Sequence, residues 1–191
     1  MKKIGLTGGI GAGKSTVARI LLALGYPVYF SDDRSKQLTQ THPEIRKGLT
    51  ELIGEHIYKG NQLDRSALAL AIFSDDALRV KVNQIIHPIV RLDFDLWIED
   101  QTNPLVFNEA AILFETGAFE RFDAMVLVTA PEELRIQRVI KRDLCTKEEV
   151  KNRINHQWSD EQKMRLADVV IVNDDVQPLI KQVEHMLTLL A

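Results

Sequence analysis

The chain has 191 residues, 45% of them hydrophobic and 27% charged, enough to bury a proper core as one domain with room for an inserted subdomain. Its net charge of -3 argues against a general nucleic-acid binder, which needs surplus cations to displace phosphate counterions, and its single cysteine, Cys145, leaves no internal disulfide. Five scattered histidines and one thiol offer no zinc-type spacing. The N-terminus shows no charged-then-apolar leader and no apolar run approaches ~18 residues, so the expectation is a cytoplasmic enzyme without a membrane partner.

The first run, Lys2 to Thr7, reads as a β-strand. It leads into Gly8-Gly9-Ile10-Gly11-Ala12-Gly13-Lys14-Ser15 and then Thr16-Val17-Ala18-Arg19-Ile20-Leu21-Leu22, which reads as a helix. That is a phosphate cradle. Glycines let consecutive N–H groups turn toward one point without a Cβ in the way, and the helix adds its positive N-terminal end. In this motif Lys14 reaches the β and γ phosphates of a nucleoside triphosphate and the Ser15 hydroxyl ligates Mg²⁺, so any metal is expected to arrive with the nucleotide.

A second strand, Pro27 to Phe30, ends at Ser31, Asp32 and Asp33. In a parallel sheet that end lies with the carboxyl end of the first strand. Two readings are open: Asp32 activates and orients an acceptor hydroxyl beside Mg²⁺, or Asp32 or Asp33 merely caps the following helix. From about residue 33 to 103 no convincing strand appears, and helical signals recur: Pro43 after His42 as a first helical residue, Asp64 as a cap before Leu68 and Ile72, and Ser74 as a cap before Leu78 and Val82. His87-Pro88 interrupts a helical pattern, with Pro88 expected to end one helix and start the next. Three further strands are predicted, Leu105 to Glu109, Met125 to Thr129 and Asp168 to Val172, and a last helix from about Val176. The alternation predicts an α/β fold, a five-stranded parallel sheet with helices on both faces, carrying a helical insertion.

Arg135, Arg138 and Arg142 recur at helical spacing after Pro131, so a transferring phosphoryl group and a solvated helix face are competing readings of one cationic stripe. Just beyond, Thr146 with Glu149 and Ser159 with Gln162 each make a capping box, which predicts two short helices in a lid. A guanine-reading Asn-Lys-x-Asp is absent, against a GTPase switch. Neither Leu105 to Phe107 nor Met125 to Val128 is followed by the aspartate of an ATPase motor.

The order of these residues resembles the dephospho-CoA kinase family. Its markers here are Leu6-Thr7-Gly8-Gly9-Ile10-Gly11-Ala12-Gly13-Lys14-Ser15-Thr16, Asp32, Leu63-Asp64-Arg65, His87-Pro88, Ile112-Leu113-Phe114-Glu115, Gln137-Arg138 through Arg142-Asp143, Arg153 with Gln157, and Ala167-Asp168-Val169-Val170-Ile171 before Asn173. The resemblance implies a P-loop NTPase-type three-layer sandwich. A nucleotide core would comprise residues 1–32, 104–143 and 165–191, a helical acceptor domain residues 33–103 and a lid residues 144–164. The implied reaction transfers the γ-phosphoryl group of ATP to the 3′-hydroxyl of dephospho-CoA, with Mg²⁺. It implies Asp32 as base, with Lys14, Arg138 and Arg142 at the phosphates. Gly9, Gly11, Ala12, Gly13, Lys14, Ser15, Thr16, Arg142 and Asn173 would hold ATP, and Asp32, Arg65, His87 and Glu115 the acceptor. Where the family often has an Asp-Ala-Asp triplet this chain has Phe30-Ser31-Asp32, and Ala111 stands for its usual proline. Other kinases of nucleosides, nucleotides or shikimate-like metabolites share core and lid, and an ATP-binding switch without transfer is the alternative of another class. A monomer or weak homo-oligomer is expected.

Overall fold

The computed structural model describes residues 1–73 and 75–191. In chain order the elements are β1 (Lys2–Thr7), α1 (Lys14–Ala23), β2 (Val28–Phe30), α2 (Ser31–Thr41), α3 (Pro43–Ile53), β3 (Tyr58–Lys59), β4 (Gln62–Leu63), α4 (Arg65–Phe73), α5 (Asp76–Glu99), β5 (Leu105–Glu109), β6 (Ala124–Thr129), α6 (Glu132–Asp143), α7 (Lys147–Asn155), α8 (Asp160–Met164), β7 (Val169–Val172) and α9 (Leu179–Leu190). The chain divides into two compact units, residues 1–30 with 101–191, and residues 31–100.

The first unit is built on a parallel sheet in the order β2-β5-β1-β6-β7. Buried on both faces, these strands can be apolar throughout rather than alternating, which is why they were legible as short continuous runs. Ile4, Leu6, Phe107, Val126, Val128 and Ile171 form a core with Val17, Ala18 and Leu21 of α1 and Val183 and Met186 of α9. The register sets Leu6 of β1 and Phe30 of β2 each opposite Glu109 of β5, so three strand ends finish level. α9 starts at Leu179 rather than near Val176, because Asp174 accepts the N–H groups of Val176 and Gln177 in a turn and Pro178 then caps the helix.

The second unit is helical around Leu38, Ile45, Leu49, Ile57, Leu63, Leu68, Val82 and Ile86. Pro43 opens α3 after His42, and Asp64 caps α4 by accepting the Ala67 N–H at 3.0 Å. Ser74 lies outside the described residues; Asp75 caps α5, accepting the Leu78 N–H at 2.9 Å. Two expectations are corrected. The insertion is not free of strands, since β3 and β4 form a small antiparallel hairpin across Gly60 (φ +60°) and Asn61, the Gly-Asn pair that two-residue hairpin loops favour. Pro88 does not divide a helix: α5 continues through it for 24 residues. Proline removes one backbone donor and crowds the preceding turn, a cost of about 3 kcal/mol or more in a helix interior. Val82 and Ile86, buried, and Ile85, Ile89 and Val90 packed against the same cluster supply the apolar burial that offsets it. Arg34 of α2 also pairs with Asp93 of α5, Nε donating at 2.9 Å.

Candidate active site

The loop between β1 and α1 takes the conformation its glycines were read to permit. Gly11 and Gly13 have φ of +78° and +94°, a region that L side chains rarely adopt. The packing is as restrictive as the backbone: a Cβ on Gly9 would stand 2.2 Å from the Arg135 guanidinium, and one on Gly13 2.0 Å from Asn173 Nδ2. Gly13 caps α1 without a side chain, and no acidic residue lies in the first turn. The helix therefore presents its first N–H groups and its positive end uncancelled.

Lys14 is buried and donates from Nζ to the Gly8 carbonyl at 2.9 Å, folding back across the loop. Ser15 and Thr16 are exposed at the start of α1. Asn173, just past β7, is buried and donates from Nδ2 to the Ala12 carbonyl at 2.8 Å, so it braces the loop from the end of the neighbouring strand. Arg138 of α6 is brought to the same place. Its guanidinium lies 3.5 Å from the Gly11 carbonyl and 3.5 Å from Asn173 Oδ1, and it donates to Asp175.

The three arginines of α6 do not act as one stripe. Arg135, buried, runs beneath the loop, where Nε donates to the Ile10 carbonyl at 3.0 Å and Nη1 donates to both Asp160 carboxylate oxygens. Its spacing from Arg138 was legible, but that one of the pair is a buried strut was not. Arg142 is exposed and forks onto its neighbour Asp143, Nε at 2.6 Å and Nη2 at 3.0 Å; Asp143 also accepts from Arg153 at 2.9 Å. Those two guanidinium groups, Arg142 foremost, hold the Asp143 carboxyl below its ordinary range.

Both predicted capping boxes are present, at Thr146 with Glu149 before α7 and at Ser159 with Gln162 before α8. Glu115 meets this segment. It accepts the Trp158 N–H at 3.1 Å and lies 2.8 Å from the ammonium of Lys163, whose side chain is fully buried. Lys163 carried no sequence signal, because a lysine in a short polar helix reads as solvated. Glu109 carries no sequence signal either: the motor-type pattern is aspartate at the end of an apolar strand, whereas this buried glutamate ends β5 opposite Leu6 and Phe30.

In the second unit, Asp32 and Asp33 occupy the first turn of α2, Asp32 two residues beyond the end of β2. Asp33 accepts from Lys36 at 2.9 Å. Arg65 is exposed at the first position of α4. His87 is half-buried in α5, and burial, with the charge of Arg91 beside it, holds its imidazole below the ordinary value.

Set beside known proteins, the dephospho-CoA kinase family model matches residues 2–178. The chain belongs to the dephospho-CoA kinase family. It is 42% identical to dephospho-CoA kinase of Bacteroides fragilis over 189 residues, covering 98% of this chain and 92% of that protein. It is also 42% identical to that of Porphyromonas gingivalis over 188 residues, covering 98% and 93%. Among solved structures, one from Thermus thermophilus shares 35% identity with a TM-score of 0.86, covering 99% of this chain and 95% of that one. Dephospho-CoA kinase from Campylobacter jejuni shares 25% identity at a TM-score of 0.67, covering 98% and 94%. Shikimate kinase from Acinetobacter baumannii, at 18% identity and a TM-score of 0.56, shares the fold, covering 100% and 93%. The sheet and loop are those of a P-loop kinase, and enzymes of this family are ATP-dependent kinases that phosphorylate a hydroxyl group.

Proposed function

We propose that this member of the dephospho-CoA kinase family moves the γ-phosphoryl group of ATP directly to the 3′-hydroxyl of dephospho-CoA, giving CoA and ADP in the last step of coenzyme A biosynthesis. The observation that carries the proposal is the loop from Gly8 to Ser15. Positive φ at two glycines and a start of α1 with no side-chain cap direct donors to one point, where a triphosphate would bind. Gly9, Gly11, Ala12, Gly13, Lys14, Ser15 and Thr16 hold the phosphates. Lys14, whose ammonium donates to the Gly8 carbonyl within the loop, makes charge-assisted hydrogen bonds to the β- and γ-oxygens.

Magnesium fits this site as a passenger of the nucleotide. Among the described residues no group of three or more His, Cys, Asp or Glu could cage an ion, while the exposed hydroxyl of Ser15 stands at the start of α1 as one ligand. When bound, the ion would be held by the Ser15 hydroxyl and would neutralise charge on the phosphates. The chain's own residues supply the rest. Asp32 accepts the hydroxyl proton and orients that oxygen in line with the γ-phosphorus. Arg138, by exchanging Asp175 for phosphate oxygens, and Arg142, from the lid boundary, spread over the developing charge. Asn173 positions the nucleotide through the loop it braces. Residues 33–103 receive the acceptor, with Arg65 and His87 from that region and Glu115 from the core toward its CoA moiety, and residues 144–164 form the lid. The enzyme works as a cytoplasmic monomer or weak homo-oligomer, with no nucleic-acid or membrane partner; no helix among the described residues is long and apolar enough to cross a bilayer.

A coupled assay for ADP with ATP, Mg²⁺ and dephospho-CoA tests this. Saturable turnover with dephospho-CoA and none with nucleoside monophosphates or shikimate is the expected result; the reverse preference refutes it. Asp32→Asn is expected to bind ATP nearly normally and lose at least ~100-fold in turnover, the scale of a general base. Unchanged turnover removes Asp32 from that role.

A further inference from the structure

Ile10, at the crest of the phosphate loop, is gripped at both of its backbone polar atoms from the same stretch of chain. Its N–H donates to Gln157 Oε1 at 2.8 Å. Its carbonyl accepts from Arg135 Nε at 3.0 Å, and Arg135 is in turn fixed by Asp160, whose two carboxylate oxygens accept from Nη1 at 3.2 and 3.1 Å. Asp160 also accepts from the Thr129 hydroxyl at the end of β6. Gln157 and Asp160, three positions apart, are thus the two points from which one short segment holds a single residue of the loop, directly at its N–H and through Arg135 at its carbonyl.

We propose that Gln157 and Asp160 are positioning residues for the triphosphate: the segment from Gln157 to Asp160 clamps Ile10 so that the N–H groups from Gly13 to Ser15 at the start of α1 face the ligand. This deepens the phosphate-loop reading and rests on it. The chemistry favours a clamp over a ligand contact. The Gln157 oxygen accepts, as phosphate does, so the Ile10 N–H it occupies is spoken for by the protein. Arg135 is the wrong cation for phosphate here, being buried below the loop with its fork spent on a carbonyl and a carboxylate. Gly9 and Gly11 are the positions that let this happen, since Cβ atoms there would meet the Arg135 guanidinium and backbone. A loop rich in glycine loses the most conformational entropy when ordered, so a clamp that orders it before ligand arrives removes part of that cost from binding. The same segment is anchored further through the Trp158 N–H and the Lys163 ammonium on Glu115.

The test uses Gln157→Leu, which keeps the size and loses the acceptor, and Gln157→Glu, which keeps an acceptor. Amide hydrogen exchange at Ile10 in the protein without nucleotide reads the clamp directly. Protection is expected to fall in Gln157→Leu and to be retained in Gln157→Glu. In steady-state assays of Gln157→Leu the KM for ATP is expected to rise about fivefold to tenfold, the effect of one neutral hydrogen bond, with the KM for dephospho-CoA unchanged and the melting temperature lower by no more than about 2–6 °C. Asp160→Asn is expected to move the same KM in the same direction. Unchanged Ile10 protection overturns the clamp, and so does a loss of thermal stability with both KM values rising together, which marks a merely structural contact. A wild-type protein that shows Ile10 protection yet fails to bind ATP refutes the phosphate-loop reading and not the clamp.

Discussion

Glu115 was expected at the acceptor, and the structure gives it a partner that makes a sharp prediction. Lys163 has a side-chain exposure of 0% and Glu115 of 12%, and their charged atoms lie 2.8 Å apart. The ammonium is off the angle of a hydrogen bond, so among the described residues neither Lys163 Nζ nor Glu115 Oε2 has a hydrogen-bond partner. Removing one member of such a pair strands the other charge in a largely buried site, at a cost of about 3–5 kcal/mol for the fully buried partner. Glu115→Gln keeps an oxygen near the ammonium and is expected at the lower end, about 3 kcal/mol; at this chain length each kcal/mol moves the melting temperature by about 2–4 °C, so a fall of roughly 6–12 °C is expected. Lys163→Met costs less, about 1–3 kcal/mol, because Glu115 keeps the Trp158 N–H and some solvent. The double variant Glu115→Gln with Lys163→Met buries no charge and is expected to recover to within about 1 kcal/mol of wild type, a coupling of about 3 kcal/mol or more. Thermal melting of the four proteins closes the cycle, with the KM for dephospho-CoA measured on each. If Glu115→Gln melts like wild type and raises only that KM, the ion pair is not what Glu115 is for, and the reasoning fails.

Gly13→Ala places a Cβ 2.0 Å from Asn173 Nδ2 at φ +94°, expelling Asn173 and leaving the buried Ala12 carbonyl without its donor. Strain of about 1–2 kcal/mol and a lost buried partner of about 1–3 kcal/mol predict a melting temperature lower by roughly 5–15 °C and no measurable ATP binding; calorimetry that finds neither contradicts the packing described. Leu144, 91% exposed, has φ of 53° at the end of α6, so Leu144→Gly gives up no packing and relieves left-handed strain; a rise of about 1–4 °C in melting temperature is expected, and a fall refutes the strain. His87 is held below its ordinary value by burial, so the unfolded chain binds a proton more readily than the folded one. Its contribution is therefore present above the unfolded value of about 6.5 and is lost as pH falls through it. Denaturant titrations at pH 8 and 5.5 are expected to show a smaller acid loss in His87→Gln than in wild type, and equal losses refute the burial.

What was legible in the sequence was whatever one strand, one cap or one loop decides locally. The strands declared themselves as β-branched runs because a parallel sheet buries both faces, and the capping boxes at Thr146 and Ser159 because their partners stand three residues away. Pro88 misled for the opposite reason: a local rule says that proline breaks a helix, and tertiary burial of Val82 and Ile86 overrides it. The hairpin at Gly60 was hidden by its length, two residues a strand, too short for alternation to show. In the site, the loop and Lys14 were legible because the motif is contiguous, whereas Arg135 and Lys163 were not. Nothing in the spacing of a cationic helix says which arginine turns inward, and a fully buried lysine becomes intelligible only when Glu115, 48 positions earlier, is seen to face it.

The cations proposed to meet the phosphates each have a partner within the protein. Lys14 rests on the Gly8 carbonyl, Arg138 on Asp175, and Arg142 on Asp143. These partners differ in what they cost to leave. Arg138 and Arg142 must release carboxylates that compete with phosphate on equal terms. Asp175 and Asp143 have side-chain exposures of 64% and 24%, so water readily solvates the first once released and the second only in part. Asp143 keeps Arg153 as an alternative partner, which lets Arg142 depart without leaving a lone charge. Release of either arginine to a phosphate therefore leaves no bare carboxylate behind, since Asp175 takes up water and Asp143 keeps Arg153.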